Sequence, residues 1–352
     1  MKINLFQASG FLAILFLTVA SAIAADNNDI LVLTSTNNSA GNQVVVFKLN
    51  PGAASSLSFV KALPTGGNGG ASGNAGAVQF RDGLGAVVNF GSNNFTRLVR
   101  DDNSIRAAGT ITLASGCTQP DSVALTATHA LVLGANCAES HSWPWGNVDG
   151  TVALTDASGG QIVAGRSWSA VTLKSGSVLQ LPLNLDGALA GDSNAVTLPA
   201  NANNTPLGAA FWGDILGFNP AHSPDSLALV NKTGDVFPIL GPQPAYPVNA
   251  PCWLAKGPGN VWYSGNSPGH AVSIFFTDGQ GGAFYKSVGL PGVPTDITVS
   301  RDNKWLAVIY TASDGSGGRI AVFSIDAYGD LTLAATSNPV GAAGFNGVAI
   351  SQ

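Results

Sequence analysis

Ala77-Val78-Gln79-Phe80-Arg81-Asp82-Gly83, running into Gly85-Ala86-Val87-Val88, reads as a β-hairpin. Short apolar runs flank an Asp-Gly pair, the dipeptide that supplies the positive φ angles of a tight two-residue turn. The unit returns as Ile297-Thr298-Val299-Ser300-Arg301-Asp302-Asn303, which runs into Trp305-Leu306-Ala307-Val308. A third strand follows in Val44-Val45-Val46-Phe47-Lys48-Leu49-Asn50 and in Ile320-Ala321-Val322-Phe323-Ser324-Ile325-Asp326, with a weaker copy at Val178–Asn184. After the two later copies, Gly187 and Leu189, then Gly329 and Leu331, lead toward a fourth strand.

Second strands of this unit start near Ile30, Gly85, Ala130, Ala170, Ile215, Asn260 and Lys304, at spacings of 55, 45, 40, 45, 45 and 44 residues. Four antiparallel strands in roughly 45 residues is the period of a propeller blade, and seven starts predict an all-β, seven-bladed β-propeller. The chain enters at a second strand, Ile30-Leu31-Val32-Leu33, and finishes on a lone first strand, Gly347-Val348-Ala349-Ile350-Ser351. The C-terminal strand is therefore expected to complete the N-terminal blade and remove an open sheet edge. Between Trp143 and Leu189 the pattern tolerates a shift by one strand.

Charged residues make up 10%, Gly numbers 44 and apolar residues reach 45%. That balance fits short buried strands with tight turns and excludes a disordered or coiled-coil chain. The net charge is −5 with no Lys/Arg cluster, so nucleic acid and anionic membrane surfaces are poor partners. Lys2, the apolar run Phe11–Leu17 and the small-residue site Ala22-Ile23-Ala24 read as a signal peptide over residues 1–24. A secreted propeller over residues 25–352 follows, without membrane insertion and with no oligomerisation signal. Export makes four Asn-x-Ser/Thr sequons candidates for glycosylation, at Asn37, Asn94, Asn203 and Asn231.

The repeat, strongest at Gln43–Asn50, Pro64–Gly70 and Pro294–Leu331, resembles the lactonase-type seven-bladed propellers, which include 6-phosphogluconolactonase-like proteins and fungal 3-carboxymuconate cyclases. The likeness runs from Ile30 to Gln352. It implies opening or closing of a lactone on a small carboxylated acid, with acid/base side chains and arginines at the central channel and neither metal nor other cofactor. Enzymatic members often carry Pro-His at the start of a first strand. This chain has Pro120-Asp121, Pro251-Cys252 and Pro294-Thr295-Asp296 instead, and no Pro-His anywhere.

First-strand starts and second-strand ends should share one rim, which puts Asn74, Asp121, Cys252, Trp253, Asp296 and Asn346 at the channel mouth. Capping strand ends is the competing role for each. The segment Cys137-Ala138-Glu139-Ser140-His141-Ser142-Trp143-Pro144-Trp145-Gly146 gathers the only glutamate, one of four histidines and two tryptophans. As an extended loop it would aim Glu139 and His141 the same way, with His141 as general base, Glu139 as its partner and Trp143 and Trp145 as an apolar wall. A structural surface loop is the alternative. Cys117 and Cys137 each lie ten residues from the Ala127 turn centre, opposite each other across the hairpin, which predicts their disulfide and an unpaired Cys252. Arg166 and Arg319 are the inward candidates for clamping a carboxylate, and Arg97, Arg100 and Arg106 read as a solvated face. His129 and His222 read as polar loop residues. Two functions stay open: a secreted lactonase- or cyclase-like enzyme, and a non-catalytic extracellular binding or cell-surface glycoprotein.

Overall fold

A computed structural model describes residues 29–352 apart from 53–54, 145, 155, 223–226, 241–249 and 340–343. The signal-peptide span and Trp145 thus lie outside the described residues. The described strands form seven four-stranded antiparallel sheets. Blade 1 is ordered Asn346–Ser351, Ile30–Ser35, Gln43–Asn50, Ser56–Pro64. Blade 2 follows as Val78–Arg81, Leu84–Asn89, Asn94–Asp101, Ser104–Thr112. Blade 3 is Ser122–Leu125, His129–Leu133, Cys137–Ser142, Val148–Ala153, and blade 4 is Gly159–Ala164, Trp168–Leu173, Ser177–Pro182, Asn194–Val196. Blades 5, 6 and 7 open with Pro206–Trp212, Pro251–Lys256 and Gly292–Val299. The expected second-strand starts fall within two residues of the observed ones.

The ends close the ring as expected. Leu31 pairs with Ser351, Val32 with Ile350 and Leu33 with Ala349. Each first strand packs on the first strand of the next blade all the way round, from blade 7 onto the C-terminal strand and from there onto blade 2. Arg100, assigned above to a solvated face, is in fact part of this closure. Its guanidinium donates to Ser351 Oγ at 2.9 Å and to Asp29 O at 2.6 Å, tying blade 2 to both ends of the described chain.

Strand periodicity explains the core. Successive side chains point to opposite faces of a sheet, and both faces of every blade are covered. Val32 packs toward blade 7 with Ile309 and Val322, whereas Leu31 and Leu33 pack toward blade 2 with Val87 and Leu98. Seven buried apolar clusters result, one at each interface between blades. The strands therefore read as continuous apolar runs instead of alternating ones. The segment open to a one-strand shift resolves at Val148–Ala153, which closes blade 3, and Gly159–Ala164, which opens blade 4.

Candidate functional site

Cys137–Ser142 is a strand, which corrects the expectation of a loop. Cys137, Glu139 and His141 point into the interface with blade 2, and Ala138 into that with blade 4. Glu139 and His141 do face the same way, but both are fully buried. His141 Nε2 lies 3.0 Å from Glu139 Oε2, and its Nδ1 lies 3.1 Å from Gly146 O. The Glu139 carboxylate also accepts the Ala114 N–H at 3.0 Å, and the imidazole stands edge-on to Phe95, with ring centres 4.9 Å apart. Every polar atom of the pair thus has a protein partner. Two ionisable side chains in an apolar interface require such mutual satisfaction. Cys117 and Cys137 are disulfide-bonded beside this pair, with Cα atoms 5.5 Å apart. Both sulfurs and the Glu139 carboxylate lie within 4.8 Å of one another, but bonded sulfurs offer no thiolate to a metal. Trp143 packs half-buried on the same cluster.

The mouth contains a feature absent from the reading of individual motifs. The Gly-rich connection between blades 1 and 2 crosses the head of the channel. Ala75 N donates to Gly160 O of blade 4 at 3.0 Å, and Gly76 O accepts Val123 N of blade 3 at 2.9 Å. Gly76 N donates to Asp296 Oδ2 of blade 7 at 3.0 Å. Gly76 is left-handed at φ +71°, and a Cβ there would sit 3.1 Å from Ser122 Oγ and 3.2 Å from Gln161 Nε2. Glycine suits a backbone that must adopt that conformation and pass this close. Asn37 latches the outer end: its Oδ1 accepts Gly70 N at 2.8 Å and its Nδ2 donates to Ala71 O at 2.6 Å.

Beneath this plug lie Asp121 and Asp296. Burial pushes both carboxyls up to about 7, opposed at Asp121 by Lys174 and at Asp296 by backbone N–H groups of Gly76, Ile297 and Val348. Asn74 donates to Asp121 O, while Asn74 Oδ1 and Asp121 Oδ1 have no protein partner. Trp253 and Asn346 line a cavity of about 330 Å³ beside the plug. Cys252 is unpaired and half-buried, with its Sγ 3.1 Å from Ala250 O, and burial raises its thiol pKa. A raised pKa disfavours the thiolate and leaves it a poor nucleophile.

The two arginines expected to share a ligand stand on different rims. Arg319 begins the third strand of blade 7 on the mouth rim, where it donates to Ser316 Oγ at 2.8 Å and faces Asp314 at 3.7 Å. Arg166 sits in the turn between the first two strands of blade 4, on the opposite rim, far from Asp121 and Asp296 in the chain's layout. Its side chain is exposed on the wall of a cavity of about 550 Å³. No described carboxylate lies within ion-pair distance of it. Leu125, Thr128 and Phe211 form other parts of that wall. An adjoining channel-end cavity of about 230 Å³ shares Leu125 and Phe211 and carries Gln161 and Lys256. Burial lowers the Lys256 pKa to about 8. Its ammonium donates to Gly257 O and Gly259 O and lies 5.4 Å from the Trp212 and Trp262 ring centres, contacts that hold it cationic in place.

The chain matches no protein-family profile and no curated protein. Its fold has many relatives among solved structures. A functionally unknown protein from Desulfotomaculum acetoxidans superposes with a TM-score of 0.69 at 12% identity, over 92% of this chain and 98% of that one. A candidate 6-phosphogluconolactonase from Bacteroides fragilis gives 0.66 at 14% identity, over 94% and 99%. A catalytically inactive virginiamycin B lyase from Staphylococcus aureus, solved with quinupristin, gives 0.55 at 14% identity, over 74% and 85%. Identities this low establish the seven-bladed architecture shared with a lactonase-type protein, and no activity.

Two further side chains depart from their sequence reading. Arg97 is not solvated: its guanidinium reaches Pro144 O and Ala108 O. His129 is buried, with its Nε2 2.8 Å from Asp149 Oδ2 and its Nδ1 2.9 Å from Thr128 Oγ1. No local signal marks this set, because Asp149 is 20 residues from His129 and joins it only through blade pairing. Among the sequons, the Asn37 amide is engaged by the plug and the Asn231 amide by Asp235, whereas Asn203 is exposed.

Proposed function

We propose that this chain is a secreted propeller that binds a small carboxylated molecule at the rim of the first-to-second-strand turns, with Arg166 holding the carboxylate. The observation carrying this is an exposed guanidinium without a carboxylate partner, on the wall of a cavity of about 550 Å³. A planar guanidinium offers a carboxylate two parallel hydrogen bonds, and Leu125 and Phe211 offer apolar contact to the rest of a small acid. Glu139 and His141 do not line this cavity, and their polar atoms are committed to one another, to the Ala114 N–H and to Gly146 O. Secretion rests on the N-terminal segment, and Asn203, whose side chain faces solvent, is the first sequon to carry a glycan. Calorimetric titration with small mono- and dicarboxylates tests the site. Binding should persist in Arg319→Ala and weaken at least tenfold in Arg166→Ala; the reverse order would move the ligand to the mouth.

One observation favours a second reading, lactone opening or closing at the mouth. Asp121 and Asp296 hold their carboxyls near 7, where a group can both give and take a proton at neutral pH. Lactone or muconate turnover that vanishes in Asp121→Asn and survives Arg166→Ala would establish that reading over the first.

A further inference from the structure

The turn-rim cavity carries a hydroxyl, an imidazole and a carboxylate in line. Thr128 is exposed and lines the cavity, one turn away from Arg166 on the neighbouring blade. Behind it His129 is buried, with Nδ1 2.9 Å from Thr128 Oγ1 and Nε2 2.8 Å from Asp149 Oδ2. The other oxygen of Asp149 accepts Ser140 Oγ–H at 2.7 Å, and Ser140 Oγ accepts Leu189 N–H at 3.0 Å, so the carboxylate is held from both sides. A carboxylate accepts only, so His129 Nε2 carries the proton between them and Nδ1 presents a lone pair to the Thr128 hydroxyl. In this geometry the hydroxyl donates its one proton to Asp186 O at 2.6 Å, so it must turn toward Nδ1, 2.9 Å away, before His129 can take that proton. Above the pair, Gly187 is left-handed at φ +100°, and a Cβ there would stand 2.7 Å from Thr128 Oγ1 and 3.1 Å from His129 Nδ1. The bare glycine lets the backbone of residues 186–187 close over the hydroxyl on that side, so a substrate reaches Thr128 from the cavity face.

We infer that Thr128 is a nucleophile for esters or lactones of small carboxylated acids, with His129 as its base and Asp149 as the residue that positions the imidazole. This rests on the reading that the turn-rim cavity is the ligand site. The order hydroxyl, imidazole, carboxylate is that of activated nucleophiles on unrelated folds, here with the imidazole buried and the Asp149 carboxylate partly exposed. As Thr128 Oγ1 bonds to the lactone carbonyl carbon, its proton passes to His129 Nδ1. The ring C–O bond then breaks, and the departing alkoxide takes that proton, leaving the opened hydroxy acid as an ester of Thr128. Water attacks this ester with the same base, Thr128 regains its hydroxyl, and the sum is lactone plus water giving hydroxy acid. Arg166 would hold the substrate carboxylate across the cavity.

The test uses the full secreted chain with a carboxylated β-lactone probe, its uncharged counterpart, and a carboxylated aryl ester as turnover substrate. Peptide mapping should find the probe on Thr128. Thr128→Val, which keeps the shape and exposure of the site, should lose the adduct and at least 100-fold of ester turnover. Thr128→Ser should retain both, and His129→Gln should slow both at least tenfold. Arg166→Ala should slow labelling by the carboxylated probe only. No adduct and no turnover in the wild type, or turnover unchanged in Thr128→Val, would overturn the inference, and carboxylate binding by Arg166 would still stand. Labelling of Thr128 by both probes at wild-type rates in Arg166→Ala would uphold the nucleophile and refute the clamp.

Discussion

Replacing His141 by alanine separates a structural pair from a catalytic one. In the wild type the imidazole bridges Glu139 and Gly146 O and stacks edge-on against Phe95. Its removal leaves Glu139 fully buried with the Ala114 N–H as its remaining partner. Breaking one side of a buried pair costs about 3–5 kcal/mol, because the survivor keeps its desolvation penalty. Unfolding entropy near 2.1 cal/mol/K per residue gives a folded chain of roughly 320 residues about 0.7 kcal/mol/K at its midpoint. The expected drop in Tm is therefore roughly 4–7 °C, read by calorimetry at neutral pH. Carboxylate binding at the Arg166 rim should be unchanged, since the pair lies between blades 2 and 3 and does not line that cavity. A Tm within about 1 °C of wild type, together with lost turnover on any substrate, would refute the structural assignment.

Three further outcomes follow from the same interactions. Deleting residues 345–352 removes the innermost strand of blade 1, so the ring should melt as a whole, at least about 10 °C lower or with no cooperative transition; an unchanged Tm would refute closure by that strand. Cys117→Ser with Cys137→Ser opens a loop of 20 residues and should lower stability by about 3 kcal/mol in denaturant titration. Asp121 and Asp296 are raised to about 7 in the folded chain, so between roughly pH 4 and 7 it retains protons that the unfolded chain has released. Stability therefore falls as pH rises through that window, by at most about 4 kcal/mol per carboxyl at 1.36 kcal/mol per unit, and Asp296→Asn should flatten the fall.

The architecture was legible because hairpin turns and apolar strands are local. Asp82-Gly83 and Asp302-Asn303 mark their turns directly, and Asp82, Gly83 and Asn303 do adopt positive φ. The unmatched strands at Ile30 and Gly347 announce the closure for the same reason. The site was harder to read, since its residues meet through blade pairing. Cys137–Ser142 looks like a loop because its polar residues find their partners through the folded blades, Glu139 at Ala114 and His141, and Ser140 at Asp149 and Leu189. Arg166 and Arg319 carry the same charge in similar turns, and only the direction of each strand assigns them to opposite rims. The plug combines both difficulties: its glycines read as turn residues, while its partners belong to blades 3, 4 and 7.

The central claim is that the ligand sits at the turn rim and not beneath the plug. A crystal structure of the full chain grown with a bound small carboxylate, chosen by titration, tests it most directly. The account predicts a carboxylate paired with the Arg166 guanidinium and within reach of Thr128, with residues 71–76 still spanning the channel head. A ligand seated against Asp121 and Asp296, with that segment displaced, would contradict it.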